Sequence, residues 1–196
     1  MEGDFSRNLL RLDLGPAASN LEVFVVHLKS QYGEDKGLEQ RIWEVERLCS
    51  LVGEKNCVIM GDFNGIAIRG EEQFEYAPIL ALPFRDVLEA VGIPPEKRRT
   101  HYYFGRGEVS FAQLDYIFCS NDVEVLDAGV LEGEIPINRE QRDLLPSDHL
   151  MIRASIRPSA SALEPSGPGP ERRDTRIGSL LLRALRSVRE KIHSLA

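Results

Sequence analysis

Apolar and polar positions along the chain alternate at two periods, and the change between them marks out the elements. Asn8 to Leu14 alternate with period two, as a half-buried strand does, and Leu21 to Leu28 form an apolar, β-branched run of the buried-strand kind. Between them Gly15-Pro16-Ala17-Ala18-Ser19-Asn20 is turn chemistry, so the two runs predict a hairpin. Leu38, Ile42, Val45, Leu48 and Val52 then recur every three or four residues, the period of a helix with one apolar face, and Gly53 follows where such a helix should stop. Cys57 to Met60 is a short buried strand running into a turn at Gly61-Asp62-Phe63-Asn64-Gly65. Phe84 to Val91 predicts a short helix ending at Gly92, and further short strands are expected at Thr100–Phe104, Gln113–Ser120, Val123–Leu131 and His149–Ile156. Strands interleaved with few helices, without strict βαβ alternation, predict a layered α+β or mixed fold.

Past Arg157 the pattern breaks. Pro158 to Thr175 is rich in Pro, Ser, Gly and charge, which predicts a disordered linker over residues 158–175. Ile177, Leu180, Leu181, Ala184, Leu185, Val188, Ile192 and Leu195 then form one stripe at helical spacing with basic residues opposite, which predicts a basic amphipathic helix over 176–196. Such a helix suits an anionic membrane surface or a protein partner, or it folds back on the domain.

Charge sharpens this division. The net charge of -7 combines +4 from Glu171 onward, where seven Lys/Arg meet three acids, with -11 over residues 1–170. So acidic a body does not collect nucleic acid by bulk electrostatics, since that requires basic groups to displace counterions. A phosphate substrate would instead call for a bound cation to offset the repulsion. No run approaches the ~20 apolar residues of a membrane span, and Met1 to Leu14 lack the form of a secretory signal. The expected location is cytoplasmic, or secreted if the true start lies upstream. Cys49, Cys57 and Cys119 are odd in number and widely spaced, so reduced buried thiols are expected.

Four segments place polar chemistry against apolar strands: His27-Leu28-Lys29-Ser30, Gly61-Asp62-Phe63-Asn64, Gln113-Leu114-Asp115-Tyr116-Ile117 and Ser147-Asp148-His149. Each alone has an ordinary explanation, since Asp62 and Asn64 are turn formers and a histidine after a strand is a common loop residue. Asp115 is harder to explain away, because a carboxylate inside an apolar strand is costly unless paired or metal-bound. Phosphate ester hydrolysis needs such a set: a divalent metal to neutralise oxygens, a base to orient water, and donors to hold a pentavalent transition state. Asp115 holding His149 in one tautomer fits that scheme.

These four segments, in this order, resemble the successive motifs of the endonuclease/exonuclease/phosphatase superfamily, the deoxyribonuclease-I-like fold, and Phe5 to Leu10 resembles the segment before its histidine motif. The resemblance runs from Phe5 to Ile156. It implies an α/β, four-layer αββα sandwich that lacks its first strands, with residues 1–157 forming the C-terminal part of the domain. The family's Asn strand and Glu strand, the latter bearing the principal metal ligand, have no counterpart here, which also leaves a non-catalytic remnant or binding module as the alternative. The resemblance further implies Mg²⁺ or Mn²⁺ as cofactor, with Asp62 orienting or activating water and Asn64 helping to hold the phosphoryl oxygens. It pairs His149 with Asp115, puts Asp148 (with Asp62) on the metal, and sets His27 against phosphate or leaving group. The substrate is a phosphate ester: nucleic acid, a phospholipid headgroup or an inositol phosphate. Tyr102, Tyr103 and Arg106, in an aromatic-rich segment, are candidate substrate contacts, with strand packing as the competing explanation.

Overall fold

In the computed structural model the chain divides into two compact units, Met1–Leu163 and Glu164–Ala196. The structure describes residues 5–31, 37–104, 109–131, 137 and 144–159. The amphipathic helix expected over 176–196, and the linker beyond Ser159, lie outside the described residues.

Twelve principal elements follow one another in the first unit. They are β1 (Leu10–Asp13), β2 (Glu22–His27), α1 (Leu38–Leu51), β3 (Cys57–Asp62), α2 (Ala77–Leu80) and β4 (Phe84–Asp86), then α3 (Val87–Ala90), β5 (His101–Phe104), β6 (Val109–Ala112), β7 (Asp115–Ser120), β8 (Glu124–Leu131) and β9 (Met151–Arg157). Five strands form one sheet in the order β1-β2-β3-β7-β4, while β5-β6 and β8-β9 each form a two-stranded sheet. The β1–β2 hairpin forms as expected, antiparallel, with Leu12 opposite Val23. Its connection uses left-handed backbone at Gly15, Ser19 and Asn20, a conformation that Gly and Asn tolerate best.

Period-two alternation sends neighbouring residues of β3 and β7 to opposite faces. One face carries Phe24, Val26, Ile59, Tyr116 and Phe118 and packs against Val45 and Leu48 of α1 and Ile79 and Leu80 of α2. Val45 and Leu48 are fully buried, and such side chains stabilise a fold by roughly 1.5–3 kcal/mol each. The other face carries Val58, Ile117 and Cys119 and packs against Val87 and Leu88 of α3 and Val125, Val130, Ile152 and Ile156 of β8 and β9. The result is a helix layer, a five-stranded sheet and a second sheet layer, the mixed layered architecture expected. At the sheet edge β1 exposes Leu10 and Leu12, and Leu14 just after it is exposed as well.

Three elements depart from the sequence expectation. Phe84 opens a strand and not a helix, because Phe84–Asp86 pairs with Ser120–Phe118 of β7; the helix begins at Val87, where the Asp86 side chain accepts from the Leu88 N–H and caps it. Val109–Ala112 forms β6 against β5, and Phe74–Tyr76 forms a 3₁₀ turn leading into α2, where the sequence pattern predicts no element.

Candidate active site

Register brings the expected groups together. His27 ends β2 directly beside Asp62, the last residue of β3, and Asp62 in turn lies opposite Asp115, the first residue of β7. Three strand ends therefore carry a row of imidazole and two carboxylates on the face that looks toward the second sheet. The close approach of β2 and β3 depends on Gly61: its φ is +134°, and a Cβ there would stand 1.9 Å from the Val26 carbonyl oxygen.

Hydrogen bonds fix the row. His27 Nε2 lies 3.3 Å from Asp62 Oδ2. Asp62 Oδ1 accepts from the Asn64 backbone N–H at 2.8 Å, an Asx turn with Asn64 in left-handed backbone. The Asn64 side-chain amide donates to the Leu28 carbonyl at 2.9 Å and to Asp62 Oδ2 at 3.1 Å. Its N–H groups are thus already engaged within the site, where they brace Asp62 and tie the loop after β3 to the loop after β2. Behind the latter loop, buried Arg41 pairs with buried Glu75 at 3.1 Å and donates to the carbonyls of Lys29 and Ser30.

His149 approaches from the second sheet side, just before β9. Its Nδ1 lies 2.8 Å from Asp115 Oδ2, the pairing that the sequence suggested. That hydrogen bond, outweighing burial, raises the imidazole above its usual range. Burial pushes the Asp62 carboxyl up; the Asn64 N–H opposes this, and the charge of Asp115 adds to it.

Asp148 is two-thirds exposed, with Oδ2 at 3.8 Å from His101 Nε2. Metal-capable donors form two groups among the described residues, each with its donor atoms within 4.8 Å of one another: Asp62, Asp115 and His149, and His101, Asp148 and His149. The two acids expected on one metal, Asp62 and Asp148, thus belong to different groups joined by His149. His101 is the site residue that sequence reasoning passed over. It stands inside the strand expected over Thr100–Phe104, but only its backbone bridge to His149 reveals its place. Burial lowers its imidazole below the usual range, and His149 lowers it further.

The aromatic segment divides. Tyr102 is buried at 2% exposure, and its hydroxyl donates to the Ser147 carbonyl. Burial withdraws it from the substrate surface, correcting the expectation of a contact; Tyr102 instead anchors the Ser147–His149 loop. Tyr103 is 55% exposed, and Arg106 lies outside the described residues.

Residues 2–149 match the pattern described as the Endonuclease/Exonuclease/phosphatase family. This chain belongs to that family. Its members are typically divalent-metal-dependent phosphoesterases and nucleases. Among solved structures, the chain is similar to an endonuclease/exonuclease/phosphatase from Beutenbergia cavernae, with TM-score 0.53 and 18% identity over 77% of this chain and 39% of that one. It is similar also to D. rerio TDP2 in complex with a single-strand DNA product, with TM-score 0.51 and 19% identity over 76% of this chain and 60% of that one. Both share the deoxyribonuclease-I-like fold of the family, and the chain spans 39% and 60% of their lengths. No curated protein sequence matches the chain.

Proposed function

We propose that this chain carries the hydrolytic centre of a divalent-metal-dependent phosphoesterase of the phosphodiesterase, nuclease or phosphatase kind. The observation that carries the reading is the 2.8 Å Asp115–His149 hydrogen bond standing beside the Asp62–His27 pair at adjacent strand ends. An imidazole backed by a carboxylate, next to a second carboxylate partly shielded from water, is what phosphoryl transfer to water requires.

The donor chemistry fits Mg²⁺ or Mn²⁺, hard ions that favour carboxylate oxygen. Asp62 and Asp115 crowd like charge into a partly buried site, a cost that a cation relieves. Asp62, with Asp115 in the same donor group, would hold the ion, which when bound supplies charge neutralisation to the phosphoryl oxygens; Asp148, expected on the same metal, lies in the other group. The chain's own groups do the rest. Asp62, braced by Asn64, orients a water and accepts its proton as the water oxygen bonds to phosphorus and the ester P–O bond breaks. His149, fixed by Asp115, presents Nε2 to a phosphoryl oxygen whose charge grows in the transition state. His27, 43% exposed, reaches the phosphate or the departing alkoxide, and exposed Tyr103, on the strand that carries His101, would contact the alcohol portion.

The test is hydrolysis of bis(p-nitrophenyl) phosphate and p-nitrophenyl phosphate in Mg²⁺ by the chain, Asp115→Asn, His149→Ala and the double variant. Each single substitution should cost on the order of 10²–10⁴ in rate, and the double variant little more, because the two residues act as one unit. Rates untouched by either change would remove the pair from the reaction. A chain that binds phosphate esters without cleaving them would be a binding module of this fold. The ratio of diester to monoester rates separates nuclease-like from phosphatase-like use.

A further inference from the structure

His101, the residue outside the hydrolytic scheme, is held where a metal ligand would be. β5 and the segment before β9 are clamped by backbone hydrogen bonds from Tyr102 N–H to the Asp148 carbonyl at 3.0 Å and from Leu150 N–H to the Thr100 carbonyl at 2.7 Å. His101 and His149 are therefore bridge partners, with ring centroids 4.7 Å apart and planes inclined at 62°. The Asp148 carboxylate closes the third side, 3.8 Å from His101 Nε2.

That separation is too long for a hydrogen bond. It is close to the ~3.3 Å that separates two ligands of a tetrahedral ion bound at about 2.0–2.1 Å. His149 meets a further requirement. A metal-bound imidazole usually has its other nitrogen fixed by a carboxylate, and Asp115 does this to Nδ1, leaving Nε2 as the ligating atom. Asp148 is 66% exposed and His101 19%, so an ion can enter and a fourth position stays open to water.

We propose that His101, Asp148 and His149 form a three-donor site for a late first-row divalent ion, typified by Zn²⁺, separate in donor chemistry from the oxygen donors around Asp62. Two imidazoles and one carboxylate suit such ions, which bind nitrogen more strongly than Mg²⁺ does. The ion would occupy Asp148 and His149, so its effect on hydrolysis rests on the proposed function; the binding does not.

The experiment titrates the full chain with Zn²⁺ by calorimetry, and with Co²⁺ by visible absorption, in excess Mg²⁺. One equivalent is expected to bind, with a ligand-field spectrum of nitrogen and oxygen donors. His101→Gln should weaken binding on the order of 10–100-fold or more, as should Asp115→Asn, which removes the backing carboxylate. His193→Gln should leave binding unchanged. Should His101→Gln fail to fold, Asp148→Asn, altering an exposed side chain, gives the same reading. Equal affinity in wild type and in the folded site variants would overturn the proposal. So would full displacement by Mg²⁺, loss on His193→Gln, or a thiolate-to-cobalt charge-transfer band.

Discussion

Replacing Asp115 by Asn isolates the contact on which His149 depends, because it removes one charge and preserves shape. The bond is 2.8 Å long and is the chief cause of the raised His149 value, ahead of the opposing effect of burial. A folded value above the unfolded one means that the stability it contributes is fully present below about pH 6.5, the ordinary imidazole value. It is lost as pH rises through the folded value. A hydrogen bond to a charged group contributes about 1.5–3 kcal/mol. With the side chains 30% and 21% exposed, solvent screening favours the lower end, about 1.5 kcal/mol on the acid side. Urea unfolding of the chelator-treated chain at about pH 6 and about pH 8.5, on either side of the imidazole range, reads this directly. Asp115→Asn should lose more stability at the lower pH, and an NMR titration should find the His149 imidazole below its wild-type value. Equal losses at both pH values, or an unmoved imidazole, would refute the assigned pairing.

Two further outcomes follow from the scaffold. Glu75→Gln removes the charge of the Glu75 carboxylate from its buried pair with Arg41, both side chains 3% exposed, while keeping an amide acceptor. Urea unfolding should show a loss of about 3 kcal/mol, the low end for breaking a buried pair; less than ~1 kcal/mol, as for an exposed pair, would contradict the weight given to the Glu75 charge. Gly61→Ala would drive a Cβ to 1.9 Å from the Val26 carbonyl oxygen, so β2 and β3 must part at the site. A loss above ~3 kcal/mol in the same assay is expected, and a change within ~0.5 kcal/mol, as at a neutral surface site, would contradict the close approach.

What could be read from the sequence was chemistry attached to strong local patterns. His27, Asp62 and Asp115 each adjoin an apolar strand, so their strands were legible, and strand register then placed them in one row. The helix over 38–51 was legible because its apolar stripe is continuous, although it ends at Val52 in extended backbone and not at Gly53. Long-range pairing was not legible. Phe84 reads as the start of a helix until Ser120 is seen opposite it, and Tyr102 reads as a surface aromatic until the Ser147 carbonyl is found at its hydroxyl. His101 belongs to the same class: its partner is 48 residues away along the chain and is joined to it by an isolated bridge.

The sharpest test of the account asks whether one cation-dependent centre is built around Asp62. Hydrolysis of bis(p-nitrophenyl) phosphate should appear when Mg²⁺ or Mn²⁺ is added, vanish with chelator, and fall at least ~100-fold in Asp62→Ala. Turnover that persists in chelator, or that Asp62→Ala leaves at the wild-type rate, would contradict it.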